Sequence, residues 1–321
     1  MRIALHDADK DPTSYDVPFE ERKVFHRDNT FPNLALMKLS AWHKARGDTV
    51  EWYKAYESDY DRVYSSKVFT LNKNDPHLIN SAVKGGTGYQ MMNNLDEDIE
   101  HIMPDYSLYG ADYSMGFLTR GCIRACPWCV VPKKEGKIRK HADIEEFAQH
   151  KKVILLDNNV LAHEHGIAQL DRIAKLGLSV DFNQGLDARK IDDEIARRLG
   201  RIKWLSAVRL ACDEASQMRS IETAVQNLRW HNVTPRRYFC YVLVKDVSDA
   251  LERIRFLKGL DLDPFAQPYI DPQGTPPTKE QKRFARWVND KAVFKGCTWE
   301  DYQAREEMDT SDEEFQRNFA R

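Results

Sequence analysis

The chain has 321 residues and a formal net charge of -2; 42% of the residues are hydrophobic and 31% are charged. This composition supplies an ordinary buried core. The net charge excludes a protein that binds nucleic acid through a large overall positive charge. No apolar run approaches the roughly 20 residues of a membrane span and the N-terminus has no secretory signal, so we expect a cytoplasmic protein without a membrane partner.

Residues 1–110 predict a small Rossmann-like α/β domain followed by a connector. The predicted elements are a strand at 2–5, a helix at 33–46, strands at 49–53 and 62–69, and a turn at the glycine-rich segment 85–88. Short apolar runs bounded by turn residues support these assignments. A phosphate cradle is the alternative for 85–88, although no strand and helix fingerprint flanks its glycines.

Residues 111–272 alternate strands with helices and predict a parallel sheet. Strands are predicted at 114–119, 152–157, 178–182, 204–210, 238–244 and 264–270, and helices at 164–176, 191–199, 214–229 and 247–257. Parallel neighbours need crossovers of this length, and their ligand sites lie beyond the carboxyl ends of the strands. Residues 273–321 predict a C-terminal helical extension, with a helix at 279–289 and an acidic tail from residue 300.

Three of the six cysteines lie within eight residues, in the segment TRGCIRACPWC at 119–129. A loop this short can direct Cys122, Cys126 and Cys129 at one metal centre, and iron–sulfur clusters are held by such thiolates. Three thiolates on a four-iron cluster leave one iron open, and an open position is typical of a reactive metal site. A structural zinc site completed by a histidine such as His141 is the alternative, although zinc ligands are usually spaced as two pairs.

The C-x3-C-x2-C spacing, with Trp128 before the last cysteine, resembles the signature of the radical S-adenosylmethionine (SAM) superfamily over roughly residues 110–270. The resemblance implies a partial (β/α)6 TIM-like barrel with a [4Fe–4S] cluster on Cys122, Cys126 and Cys129. It also implies that SAM binds the open iron and is cleaved reductively to a 5′-deoxyadenosyl radical. The electron would come from a donor such as flavodoxin or ferredoxin.

Four segments most resemble the branch that joins a cobalamin-binding-type N-terminal domain to this barrel. They are TRGC at 119–122, LLDNN at 155–159, FNQGLDAR at 182–189 and RLACDE at 209–214. The chain has no Asp-x-His-x-x-Gly segment, which supplies the histidine ligand of cobalt in that branch. We therefore interpret the N-terminal region as a degenerate cobalamin-binding-like domain and do not expect cobalamin. Residues 157–159 also stand where many superfamily members have a Gly-Gly-Glu turn.

The same resemblance assigns eight residues to the cofactor site. They are Trp128, Asp157, Asn158, Asn159, Gln184, Arg189, Arg209 and Asp213. Oxygens at 157–159 could accept hydrogen bonds from an ammonium group, the arginines could clamp a carboxylate, and Asp213 could bind ribose hydroxyls. Ordinary roles stay open for each: a turn or helix cap for the acids and amides, and an ion pair with Asp187, Asp192 or Glu214 for the arginines.

Other candidates have simpler explanations. The basic stretch at 132–140 could hold a phosphate-bearing or nucleic-acid substrate, but a solvated loop explains it, so nucleic acid stays possible without support. An auxiliary cluster could use Cys212, Cys240 and Cys297, which are far apart in sequence and fit buried free cysteines. His163 and His165 could share a metal that the proposed cofactors do not require.

The sequence therefore predicts a radical SAM enzyme whose catalytic residues beyond the cluster ligands, and whose substrate, are unknown. Two other functions stay open. One is methyl or methylthio transfer onto RNA or a small molecule, for which a second cluster or bound cobalamin would be the sign. The other is a non-catalytic binding module stabilised by zinc.

Overall fold

The computed structural model describes residues 1–10, 31–69, 74–233, 237–271 and 274–303. The chain divides into two units. Unit 1 comprises residues 1–125 and 130–183, and unit 2 comprises residues 126–129 and the chain from 184 onward. The division at residue 183 falls inside the segment 111–272 that the sequence predicts as one barrel domain. The three predicted domains, 1–110, 111–272 and 273–321, stay a prediction.

The first sheet of unit 1 is fully parallel. Its elements are β1 (Arg2–Asp7), α1 (Leu34–Lys44), β2 (Thr49–Trp52), β3 (Arg62–Ser66) and β4 (Val83–Gly85), with the strand order β2-β1-β3-β4. Helix α1 begins after Asn33, whose side chain accepts a hydrogen bond from the Leu36 amide. Apolar side chains of α1, such as Leu36, pack with Ile3 and Leu5 of β1 in a buried core.

The second part of unit 1 carries a parallel sheet and a short hairpin. Its elements are α2 (Glu97–Glu100), β5 (Ser114–Gly116), β6 (Thr119–Arg120), α3 (Val131–Lys134), β7 (Arg139–Lys140), β8 (Lys152–Leu155), α4 (Glu164–Leu176) and β9 (Ser179–Phe182). Strands β5, β8 and β9 are parallel neighbours, while β6 and β7 pair in antiparallel fashion. Residues 121–130, which contain the three clustered cysteines, therefore lie between β6 and α3.

Unit 2 also alternates strands with helices. Its elements are α5 (Asp193–Leu199), β10 (Lys203–Trp204), β11 (Val208–Ala211), α6 (Met218–Trp230), β12 (Tyr238–Val244), α7 (Val247–Gly259), β13 (Asp263–Pro268), α8 (Lys279–Asn289) and α9 (Lys291–Gly296). Strands β11, β12 and β13 are parallel neighbours in that order. Side chains alternate between buried and half-buried along β12, as expected for the middle strand of a sheet.

The predicted α/β class with parallel sheets is confirmed. The single strand predicted at 204–210 is wrong, because the chain bends at Leu205, whose side chain is exposed, and forms β10 and β11 instead. Strand β4 and helix α9 were not predicted, since both are short. Most of the predicted acidic tail, residues 304–321, lies outside the described residues. Within the described ranges, no helix is both long and apolar enough to cross a membrane.

Candidate metal centre

The cysteine loop, residues 121–129, follows β6 and contains Cys122, Cys126 and Cys129. All three are free thiols and partly exposed. Cys122 belongs to unit 1, whereas Cys126 and Cys129 belong to the short segment of unit 2.

On the unit 1 side, the cysteine loop starts with a backbone turn that only glycine fits. Gly121 has φ +83°, and a Cβ atom there would lie 2.4 Å from the carbonyl oxygen of Lys137. The Gly121 amide donates to Glu135 Oε2 at 2.8 Å, and the Cys122 amide donates to the carbonyl of Gly136 at 3.3 Å. These contacts hold the first cysteine against residues 135–137.

The sulfur of Cys122 accepts two N–H groups. The Arg124 amide donates to it at 3.3 Å, and Nδ2 of the buried Asn159 lies 3.5 Å from it. Such hydrogen bonds stabilise a thiolate and tune the potential of a cluster that the thiolate holds. Asn159, predicted as a SAM ligand, thus contacts a predicted cluster ligand in this structure.

Asp157 fixes the approach to the cysteine loop. Its carboxylate accepts hydrogen bonds from the Leu118 amide at 3.2 Å, from the Thr119 amide at 2.6 Å and from the Thr119 hydroxyl at 2.7 Å. Burial raises the pKa of Asp157 to about 6, although these hydrogen bonds act in the opposite direction. The acid therefore anchors the chain just before β6, and its predicted contact with the methionine ammonium group stays a prediction.

Glu135 contacts both the start of the cysteine loop and Asn158, and it was not among the site residues predicted from the sequence. Its carboxylate accepts from Asn158 Nδ2 at 2.9 Å as well as from the Gly121 amide, and it lies 3.4 Å from the Arg120 guanidinium. That guanidinium lies over the ring of Phe117. The available signal was that Glu135 is the one acidic residue in the basic stretch 132–140.

On the unit 2 side, Cys126 and Cys129 form a tight turn. The Cys129 amide donates to the Cys126 carbonyl at 3.0 Å. The ring of Trp128, predicted to contact the cofactor, lies 3.5 Å from the Lys245 ammonium in a cation–π contact. Lys245 follows β12, so this contact attaches the turn to the carboxyl end of that strand.

The sequence predicted three further cofactor residues at or just beyond strand ends. Gln184 lies two residues after β9, whereas Arg189 lies seven residues after it and Arg209 lies within β11. Gln184 is exposed. Arg189 Nε donates to Asp187 Oδ1 at 2.7 Å, which is one of the ion pairs considered as an alternative to carboxylate binding. Arg209 donates to the Ser206 hydroxyl at 3.3 Å. Their predicted roles toward SAM stay predictions.

Asp213 joins two strands of unit 2. It accepts a hydrogen bond from the Leu243 amide at 3.1 Å, and burial raises the pKa of its carboxyl. Nearby, the fully buried Arg253 donates to the carbonyls of Cys212 and Leu243 and pairs with Asp249 at 2.6 Å. Asp213 is not the cap of the next helical turn, since Glu214 takes that position.

The remaining cysteines and histidines have structural contacts. Cys212 and Cys240 are buried, and burial raises the pKa of the Cys212 thiol to about 11. His163 caps α4, and His165 Nε2 lies 2.9 Å from the Ala142 carbonyl. His141, the histidine of the zinc alternative, lies 3.3 Å from Glu100.

In the described parts of the chain, no three His, Cys, Asp or Glu side chains are grouped so that they could hold one metal ion. The chemistry of the donor set nevertheless fits an iron–sulfur cluster, because Cys122, Cys126 and Cys129 are partly exposed thiols that form no disulfide. The sulfur of Cys122 already accepts N–H groups of the kind found around cluster ligands. A scan against protein-family models and a search of curated proteins gave no match to this chain.

Proposed function

We propose that the chain is a radical SAM enzyme that holds a [4Fe–4S] cluster on Cys122, Cys126 and Cys129. In this proposal SAM is cleaved reductively to a 5′-deoxyadenosyl radical that acts on a substrate still unknown. The observation that carries the proposal is the C-x3-C-x2-C loop of free thiols directly after β6, with two N–H groups on the sulfur of Cys122. The cluster, when bound, supplies the electron for this cleavage.

The partial (β/α)6 TIM-like barrel belongs to the same proposal. What supports it is the order of elements within each unit. In unit 1, parallel strands β8 and β9 are joined through α4. In unit 2, parallel strands β11, β12 and β13 are joined through α6 and α7. Repeated strand–helix–strand crossovers of this kind are the units from which such barrels are built.

The protein's part in this function is to position the cysteine loop and the cofactor. Asp157 holds the chain before the loop, and Glu135 holds its first turn. Asn159 lowers the charge density on the sulfur of Cys122, which favours a reduced cluster. The contact of Trp128 with Lys245 restricts the turn that carries the other two cysteines.

A small electron donor such as flavodoxin or ferredoxin is part of the proposal, as is a cytoplasmic location. The three cysteines are partly exposed, and the apolar side chains of Ile123 and Val130, within and beside the loop, are exposed by 43% and 45%. Exposed apolar groups beside a redox centre suit a transient partner surface.

Anaerobic reconstitution with iron and sulfide tests the proposed function. We expect about four irons per chain and a brown colour, and alanine at any of Cys122, Cys126 or Cys129 should abolish stable iron binding. Cys297→Ala is the matched control, because Cys297 is also a partly exposed free thiol and should be dispensable. Incubation of the reduced, loaded protein with SAM should yield 5′-deoxyadenosine.

Three outcomes would contradict the proposed function. One is a colourless protein with one zinc per chain, which would support the binding module. Another is iron binding that survives the loss of all three loop cysteines. The third is a fully loaded, reduced protein that leaves SAM intact.

A further inference from the structure

The carboxyl edge of the first sheet of unit 1 contains a second group of buried polar residues. The chain runs from β1 to β2 on one side and returns to β3 on the other side of β1. In open parallel sheets, ligands bind in the crevice where the strand order reverses in this way. Side chains at these strand ends are buried and polar, namely His6, Asp7, Ser65 and Ser66.

The acidic groups at this edge already have partners. Asp75 lies 3.1 Å from His6 Nε2, and the other ring nitrogen of His6 lies 2.8 Å from the Ser65 hydroxyl. That hydroxyl is 2.8 Å from the Tyr89 hydroxyl. Asp9 accepts hydrogen bonds from two backbone amides that follow β3.

Lys67, which follows β3, is a buried cation at the same edge of the sheet. The residue is only 4% exposed. Its ammonium group donates to Asn74 Oδ1 at 2.9 Å and lies 5.6 Å from the centroid of the Tyr89 ring. Among the described residues it forms no ion pair with a carboxylate. A buried ammonium group without a counter-charge is energetically costly, so an anion that binds it gains a strong interaction.

Lys38, the other deeply buried lysine of unit 1, shows the contrast. It is 5% exposed, and its ammonium lies 3.3 Å from Glu100 Oε1 and also donates to the Glu100 carbonyl. The two lysines have similar burial, but only Lys38 is neutralised from within the described chain. The printed contacts of the Lys67 ammonium in the described chain are with the neutral groups of Asn74 and Tyr89, which leaves this cation able to interact with an anionic ligand.

The glycine turn, residues 85–88, wraps around Lys67. The Gly88 amide donates to the Lys67 carbonyl at 2.8 Å. Gly86 has φ +90°, and a Cβ atom there would lie 2.3 Å from the same carbonyl oxygen; a Cβ atom on Gly88 would lie 2.6 Å from Lys67 Cγ. Glycine is needed at both positions so that the turn can lie directly against the lysine.

Two more lysines border the glycine turn, and both contact neutral groups. Lys134 donates to the Thr87 hydroxyl, and burial lowers the pKa of its ammonium. Lys84 lies 5.8 Å from the ring of Tyr89. In the part of the chain that the structure describes, neither lysine pairs with a carboxylate. Three cations therefore surround one short turn at a sheet edge that suits ligand binding.

We propose that Lys67 and Lys134, positioned by the glycine turn, bind the phosphoryl group of a small phosphorylated ligand. Lysine ammonium groups are common ligands of phosphate, and the role of the glycine turn is to position them, because its Gly88 amide donates to the Lys67 carbonyl and the Tyr89 and Gln90 amides donate to the Gly86 carbonyl. The burial of Lys67 favours a compact terminal phosphate or diphosphate. A polynucleotide backbone would instead require exposed cations.

This site would hold the substrate of the proposed enzyme, and in that role it rests on the proposed function. Lys134 and Glu135 are consecutive, and Glu135 accepts the amide of Gly121 at the start of the cysteine loop. A ligand held by Lys134 therefore lies within unit 1 near the chain that presents Cys122. Binding itself requires no cluster and can be measured on iron-free protein.

Calorimetric titration of the iron-free full chain with inorganic pyrophosphate tests the site in phosphate-free buffer. We expect one binding event, weakened at least about tenfold in Lys67→Met and in Lys134→Gln, because each variant removes a charge-assisted contact. Lys133→Gln is the matched control, since Lys133 is the exposed neighbour of Lys134, and should change affinity less than about twofold. Because no cluster is present, a negative result here is separate from a failure of the SAM reaction.

A second measurement separates a binding role of Lys67 from a purely structural one. Without ligand, Lys67→Met should keep or raise the melting temperature, whereas Lys38→Met should lower it because Glu100 loses its partner. The proposal is overturned if pyrophosphate does not bind, if the three titration variants bind it equally, or if Lys67→Met melts as low as Lys38→Met. Displacement of pyrophosphate by an oligonucleotide without terminal phosphates would overturn it in favour of nucleic acid.

Discussion

Asp157 combines two properties that a carboxylate rarely has together. It accepts three hydrogen bonds from residues 118 and 119, and yet burial raises its pKa to about 6. The ionised form is thus disfavoured in the folded chain relative to the unfolded chain, where a pKa near 3.8 applies. The stability contributed by this group is complete below about pH 4 and is lost as the pH rises through about 6.

We predict that Asp157→Asn removes this pH dependence. Between pH 4 and pH 6.5, the unfolding free energy of the wild type should fall by about 2 kcal/mol relative to the variant. Urea unfolding of the iron-free protein at several pH values measures the difference. Asp112→Asn, at an exposed carboxylate paired with Lys152, is the control and should leave this pH window unchanged. Parallel curves for wild type and Asp157→Asn would show that the acid is already ionised at pH 4.

The sequence predicted residue types at the site better than their contacts. Spacing alone selected Cys122, and the turn after a buried strand selected Asn159, but nothing in the sequence indicated that their side chains meet. Glu135 was missed because its partners are backbone and amide groups brought close only by folding. For Arg189 the sequence left both carboxylate binding and an ion pair open, and only the structure shows the ion pair with Asp187.

Helix α4 shows how an element sets the position of the site residues before it. Its first turn contains Gly166, where a Cβ atom would lie 2.1 Å from the carbonyl oxygen of Val160. Val160 directly follows Asn159, the residue that contacts Cys122. The close approach of helix and loop therefore depends on the absence of a side chain at Gly166.

We predict that Gly166→Ala lowers the unfolding free energy by about 2 kcal/mol or more, because the methyl group must push the backbone of residue 160 away. Gly259→Ala is the matched control. It lies at the end of α7 with no atom within 4 Å of its ideal Cβ and should be neutral or slightly stabilising. Chemical denaturation of both variants measures the difference, and equal stabilities would contradict the close contact at Val160.

Elements with long periodic patterns were predicted well. The predicted limits of α4, β12 and α8 agree with the structure. The two helices combine amphipathic spacing with capping residues, and β12 is a continuous run of seven apolar residues. Strand β4 could not be predicted, because its three residues are mostly exposed and are a strand only by pairing with β3. Short elements depend on tertiary neighbours that the local sequence does not reveal.

At the scale of the whole molecule, the proposed ligands come from both units. Cys122 belongs to unit 1, and Cys126 and Cys129 belong to unit 2. A cluster held by all three would bind the folded chain and not the unfolded one, and would therefore stabilise the folded chain.

We predict that cluster loading raises the melting temperature of the chain. Scanning calorimetry under anaerobic conditions, on iron-free and loaded protein, measures this effect. Cys126→Ala should abolish the increase, and Cys297→Ala should retain it. An unchanged melting curve in a protein that has bound its full complement of iron would contradict shared ligation by the two units.

The division of the chain also has a consequence for biosynthesis. Apart from the four residues 126–129, unit 1 is complete once residue 183 has left the ribosome. N-terminal domains generally fold first during translation, so this part can fold while the segment with Cys126 and Cys129 waits for its own unit. Lys245, which contacts Trp128, is made more than a hundred residues later. If the proposed cluster uses all three thiols, its insertion would therefore follow the synthesis of Lys245.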